Sequence, residues 1–328
     1  MRFFKKTNID FIGKRRLWYI VSTLVTVAGI VFAMIRGVEY GIDFAGGTEI
    51  QLKFDKVVKI DELRSALDAG GFRGAEVKYY GADESGVLIR VREGASGAAA
   101  GAQVTKDVQN AVEKGIAGNK ATLMQNTHIG AKIGAELKQK ALIAVLVTCL
   151  AILIYLAFRF RFVYGLGAVI AIVHDVLVAF AFAVIFNGFV PSLNLEMNST
   201  MLAAFLTIVG FSVNDTVIIF DRIREDQRKY KGQDMKTIMN RAINETLPRT
   251  IITSGTVFLT LIMLFFFGGE VLRGFAFTML IGVITGTYSS IFVASAIAYD
   301  YIHRNKELKG QPVALEAAPV QKKMATVA

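Results

Sequence analysis

Residues 201–220 read MLAAFLTIVGFSVNDTVIIF, and residues 221–225 continue as DRIRE. The first block is apolar apart from its hydroxyls, Asn214 and Asp215. Its length matches the roughly 20 residues an α-helix needs to cross the hydrocarbon of a bilayer. The charged run from Asp221 marks where the helix leaves the apolar phase. A membrane span that carries a carboxyl group is the reading on which the rest of the chain turns.

Working outward, five further stretches have the same character, giving spans at 17–36, 140–158, 162–186, 201–220, 250–268 and 271–299. The first runs directly into Arg36-Gly37-Val38-Glu39 with no small-x-small cleavage site, so it reads as a retained helix and not a signal peptide. Composition agrees: 53% of the 328 residues are hydrophobic, and mean hydropathy is +0.47. A disordered chain is excluded, and the apolar share exceeds that of an ordinary soluble domain.

The net charge of +10, from 37 basic and 27 acidic residues, suggests nucleic acid until the charges are placed. Residues 1–16 carry six basic side chains against Asp10, and 221–249 carry eight against five acids. Arg159 and Arg161 sit in one short loop, whereas 187–200 hold no Lys or Arg. Basic and non-basic loops alternate as the positive-inside rule requires. Both termini are expected in the cytoplasm and residues 37–139 outside. The positive charge is an orientation signal toward anionic lipid, and nucleic acid drops out as a partner.

The outer segment changes period. Residues 46–54, 76–80, 87–91 and 121–125 read as strands, and 61–68 and 103–116 as helices. The order β-α-β-β-α-β predicts a small α+β domain of the ferredoxin-like kind. The expected architecture is a polytopic α-helical membrane protein with six spans and this one extracytoplasmic domain. Residues 94–102 read as a flexible linker and 304–328 as a disordered tail. Phe3, Phe4, Phe11 and Ile12 are expected to lie at the membrane surface with residues 1–16. Residues 221–249 are read as an amphipathic loop: the apolar positions of 234–247 form an interfacial helix capped by Asp234 and ended by Pro248. Gly282-x-x-x-Gly286 allows close helix approach.

Catalytic material is scarce. The chain has three histidines, one cysteine and no GxxxxGK[ST], so metal clusters, hydrolytic triads and nucleotide hydrolysis are not expected. An enzyme is not expected, nor a cofactor. Cys149 reads as a small buried hydrophobe. The informative groups are the ionisable ones inside spans, which are functional candidates because they are costly there. Asp175 lies mid-span beside His174. Asp215, next to Asn214, lies about 9 Å from the cytoplasmic end of its helix. Arg249 directly precedes the fifth span, where its side chain can reach Asp215. Low dielectric favours a neutral carboxyl and a nearby arginine favours the charged form, the minimum for a proton relay. A static pair locking spans four and five is the alternative. Asp175 reads equally as a brace between helices, and His174 as a packing or hydrogen-bonding residue.

Together these residues resemble the SecF family of the SecD–SecF export complex, within the resistance-nodulation-division superfamily. The similar strings are Ile9-Asp10-Phe11-Ile12-Gly13-Lys14, Gly41-Ile42-Asp43-Phe44-Ala45-Gly46-Gly47-Thr48 and His174-Asp175. Val209-Gly210-Phe211-Ser212-Val213-Asn214-Asp215-Thr216-Val217 and Asn244-Glu245-Thr246-Leu247-Pro248-Arg249-Thr250 complete them. The resemblance implies a subunit that pairs with SecD, associates with the SecYEG channel and YajC in the bacterial inner membrane, and handles unfolded exported chains. It implies coupling to the proton gradient (sodium in some marine relatives), with Asp215 and Arg249 as the proton-linked pair and Asp175 as a further candidate. A small-molecule or lipid exporter of the same superfamily and a purely structural scaffold are the competing classes.

Overall fold

The fold is described from a computed structural model, over residues 7–80, 85–92, 101–116, 118–160, 162–190, 193 and 195–308. Helix α1 (Arg15–Arg36) follows a 3-10 turn, Ile12–Lys14. The short α2 (Ile42–Ala45) leads into β1 (Gly47–Phe54), α3 (Ile60–Ala69), β2 (Glu76–Tyr80), β3 (Gly86–Val91), α4 (Gly101–Gly115) and β4 (Ala121–Ile129). Five long elements then complete the chain: α5 (Ala131–Arg159), α6 (Phe162–Phe189), α7 (Ser199–Lys229), α8 (Met235–Phe267) and α9 (Gly269–Ser289). After α9 a π-helical segment, Ser290–Ala294, passes into α10 (Ser295–Leu308). Six helical stretches are long and apolar enough to cross a membrane, the last formed jointly by α9, the π segment and α10.

The small domain is one antiparallel sheet of order β2-β3-β1-β4. β1 sits centrally with Ile50 opposite Ile89 of β3 and Asn126 of β4. Alternation along β1 points Ile50, Leu52 and Phe54 to one face, where Leu63 and Leu67 of α3 and Val104, Val108 and Val112 of α4 cover them. The strands and helices expected from periodicity are all present. Residues 94–100 of the expected linker lie outside the described residues, while Gly101 and Ala102 belong to α4. Helix α10 runs beyond residue 304, and the tail from 309 on lies outside the described residues.

The spanning helices pack through small residues. A Cβ on Gly282 of α9 would come within 2.2 Å of Ile208 on α7, and one on Gly29 of α1 within 2.0 Å of Ala181 on α6. The close approach read from Gly282 and Gly286 is made at Gly282, between α7 and α9, while Gly286 would make only ordinary contacts with a Cβ.

Four expectations need correction. Pro248 does not end a helix, because α8 runs continuously through it. Proline removes the N–H that would bond the carbonyl four residues back, which is that of Asn244. The Thr7 hydroxyl takes that carbonyl at 3.5 Å. Phe11 and Ile12 are not surface anchors but core residues, 6% and 1% exposed. Asn244 and Asn240 of α8 accept from the Ile9 and Ile12 amides, each at 3.0 Å, and Phe11 packs edge-on against Phe292. The apolar stripe of 234–247 thus meets protein, with Ile238, Met239, Ala242 and Ile243 buried. Asp234 does cap the helix, through the amides of Lys236 and Thr237. Phe3 and Phe4 lie outside the described residues. Cys149 is exposed on α5, not buried.

Candidate functional site

Two buried carboxyl groups lie within the helix bundle. Asp175 of α6 is fully buried and accepts at one oxygen from Ser212 of α7 (2.6 Å) and Ser289 of α9 (2.7 Å). Its other oxygen lies 3.0 Å from Nδ1 of His174. The Nε2 of His174 meets the Tyr288 hydroxyl at 2.9 Å, and that hydroxyl meets Ser22 of α1 at 3.3 Å. With Asp175 ionised, one direction of donation satisfies the whole chain: Ser22 to Tyr288, Tyr288 to Nε2, Nδ1–H to the carboxylate. His174 is thus a hydrogen-bonding residue that joins α1 to the Asp175 cluster. Gly286 packs beside the cluster, where a Cβ would lie 3.4 Å from Ser212 and 3.7 Å from Asp175, at ordinary contact distance.

Asp215 sits on α7 three residues beyond Ser212, about 4.5 Å along the axis. It is 6% exposed. One carboxyl oxygen accepts from Thr250 of α8 at 2.8 Å. The other is buried without a hydrogen-bond donor among the described residues. A buried ionised carboxylate is costly unless its oxygens are satisfied, so this arrangement suits a carboxyl group that exchanges its proton.

Arg249 is exposed, and the described residues form no ion pair within 4.0 Å between it and Asp215. The residue brought to the carboxyl is its neighbour, Thr250. Helix phase explains the exchange: Ala242, Thr246, Thr250 and Ser254 recur every four residues on the buried face of α8, and Arg249 lies about 100° off that face. The junction between α7 and α8 is a hydroxyl bond rather than a salt bridge. Asn214 is exposed on α7, turned away from the carboxyl groups. Residue phase would have found Thr250, Ser212, Ser289 and Tyr288, the hydroxyls that complete the site.

A second polar cluster joins the small domain to the bundle. Arg90 of β3, 3% exposed, pairs with Glu49 (2.7 Å), Glu76 (3.3 Å) and Glu196 (2.5 Å). Lys78 of β2 pairs with Glu196 (2.6 Å) and Glu39 (2.8 Å), and Asn187 of α6 donates to Glu39 at 3.0 Å. Glu196 precedes α7 and Glu39 follows α1, so these pairs cross from the sheet to the ends of the spans. Among the described residues no group of three or more His, Cys, Asp and Glu side chains gathers as a metal site.

An apolar bundle of six spanning helices, with carboxyl groups at its heart and one small domain at one end, defines a multi-pass membrane protein. The pattern described as protein export membrane protein SecD/SecF, C-terminal, matches residues 108–304, and the SecD/SecF GG motif matches residues 31–56. The protein translocase subunit SecF of Calditerrivibrio nitroreducens is 39% identical, over 89% of this chain and 94% of its own length. That of Magnetococcus marinus is 42% identical, over 90% and 92%. The crystal structure of SecDF from Thermus thermophilus, a translocon-associated membrane protein, superimposes with a TM-score of 0.79 at 32% identity, covering 90% of this chain and 39% of that longer one. The chain belongs to the SecF family.

Proposed function

We propose that this protein is the SecF subunit of the Sec export machinery, pairing with SecD and using the proton gradient to promote movement of exported chains across the bacterial inner membrane. Asp215 is the coupling carboxyl. The observation that carries this reading is its burial with one oxygen bonded to Thr250 and the other left without a donor. About 2.3 kcal/mol is available per charge for each 100 mV of membrane potential, enough to favour one protonation state and the helix arrangement that goes with it. Asp175, whose oxygens are all bonded, serves as a second, stiffer acceptor reached through His174. Arg249, exposed beside the mouth of the site, acts on Asp215 through its field. Asn214, exposed on the same helix, faces outward toward SecD.

The opposite ends of the bundle support an orientation with both termini in the cytoplasm. The Arg159–Asp221 and Arg222–Glu245 contacts and the Arg15–Asp300 pair all lie at the end away from the small domain. Residues 37–139 are then the periplasmic domain. The sheet order β2-β3-β1-β4 supports reading it as a ferredoxin-like split βαβ unit. SecYEG and YajC are the further partners on this reading, and the subunit performs no enzymatic step and needs no cofactor.

The test is gradient-dependent export into membrane vesicles containing the channel, SecD and this subunit. Asp215→Asn is expected to abolish the acceleration by the gradient while leaving the gradient-independent rate intact. A full gradient response in that variant would refute the relay and leave a structural scaffold.

A further inference from the structure

The sixth span changes geometry beside Asp215. Helix α9 ends at Ser289 and the chain widens into the π segment Ser290–Ala294 before α10 resumes. Such widened turns are rare and gather at functional sites. Ser289 and Ser290 are both fully buried. Ser289 donates to Asp175. Ser290 is tied to the residue next to Asp215, because the Thr216 hydroxyl donates to it at 3.1 Å, while its own hydroxyl donates to the Gly286 carbonyl at 2.7 Å.

Three features make the Ser290 proton movable. Thr216 supplies the bond that Ser290 accepts, so the Ser290 proton is free to be given elsewhere. The carbonyl that now receives it has another donor, the Ser290 amide. Turning the Ser290 hydroxyl away therefore orphans nothing. The Asp215 oxygen that has no donor among the described residues needs one once it is charged.

We propose that Ser290 is the exchangeable hydrogen-bond donor of Asp215. While Asp215 carries its proton, Ser290 stays on the Gly286 carbonyl, as the structure shows. When that proton departs to solvent, the Ser290 O–H turns to the vacated carboxylate oxygen and keeps its own proton throughout. Ser290 is a positioning residue, and the reading rests on Asp215 as the coupling carboxyl. The ionisable group whose charge reaches Asp215 is Arg249 from α8; the Asp175 carboxyl of α6, with His174 and Tyr288, lies about one turn away along α7, bonded to Ser212. No charged side chain occurs between residues 286 and 295.

The experiment is infrared difference spectroscopy of the full chain in lipid nanodiscs across pH, with the Asp215 carboxyl band identified by its loss in Asp215→Asn. Ser290→Ala should hold that band to a pH about one unit higher, because the charged form loses a donor. Ser290→Thr, which keeps a hydroxyl, should return the wild-type profile, and thermal unfolding of both variants monitors the fold. A wild-type profile in Ser290→Ala, or an equal shift in Ser290→Thr, overturns the proposal. If the wild-type band never titrates, both the switch and the coupling role fall. If it titrates and shifts as expected while Asp215→Asn still exports with the gradient, Ser290 stands and only the coupling role falls.

Discussion

Replacing Glu196 with glutamine keeps its shape and removes the charge at the centre of the bridge between sheet and bundle. Glu196 is 2% exposed and faces both Lys78 and Arg90. Removing one partner of a buried ion pair costs about 3–5 kcal/mol. Arg90 retains Glu49 and Glu76, and Lys78 retains Glu39, so the lower figure applies, about 3 kcal/mol or somewhat over a hundredfold in the docking equilibrium. The readout is amide exchange. The Met197 amide bonds the Glu39 carbonyl, the Gly41 amide bonds that of Met197, and the Leu195 amide bonds Asn187, each at 2.9 Å. All three cross or brace the same junction, so Glu196→Gln should speed their exchange at neutral pH by roughly that factor. Unchanged exchange would show that the charges contribute nothing to docking. The junction also has a pH window. Burial alone would raise the Glu39 carboxyl, but the Lys78 bond and charge, with the Asn187 amide and Arg36, hold it below the usual range. Its contribution is therefore present above the unfolded value of about 4.3 and lost as pH falls through the lower folded value. Burial opposes charge on Lys78, yet the field and bond of Glu196, then of Glu39, raise it above the usual range. That contribution is full below about 10.4 and lost as pH rises through the higher folded value. Exchange should accelerate at both extremes and be slowest between them.

Gly282→Leu should lower the thermal midpoint sharply, since even a Cβ meets Ile208 at 2.2 Å and overpacking costs about 1–3 kcal/mol or more. Gly210→Ala, with nothing within 4 Å, should leave the midpoint unchanged, and equal midpoints for the two variants would contradict the packing described. Cys149 should react with a lipid-soluble maleimide in the folded protein, and protection until unfolding would contradict its exposure.

The spans and the sheet were legible because both rest on periodicity. Apolar runs of some 20 residues, and the alternation through Ile50, Leu52 and Phe54, admit few other readings. The short α2 was missed because four residues carry no period. Helix α5 begins at Ala131, nine residues before the expected span, because Lys132, Glu136, Lys138 and Lys140 hide a helix that is no longer in the membrane. Pro248 sits inside α8 against the N-terminal segment, where Asn244 bonds Ile9 and its carbonyl meets Thr7, more than two hundred residues away, which no local pattern reveals. Asp175 and Asp215 were visible because a carboxyl in an apolar run is conspicuous. Their hydroxyl partners were not, because Ser and Thr are unremarkable in spans until helix phase is compared between α7, α8 and α9.

Helix α5 has one further consequence. Its buried residues are Gly134 near one end, against the α2 turn, and Leu156 near the other, in the bundle core. Between them it stands off from α6 and α7 across an apolar cleft of about 790 Å³, faced by Leu142, Val145, Ile172 and Phe205. A protein interior gains its cohesion from close-packed atoms, and the middle of α5 has few of them. The helix is therefore tied to the rest of the chain at its two ends, like a strut, and its middle is the part of the bundle freest to bend.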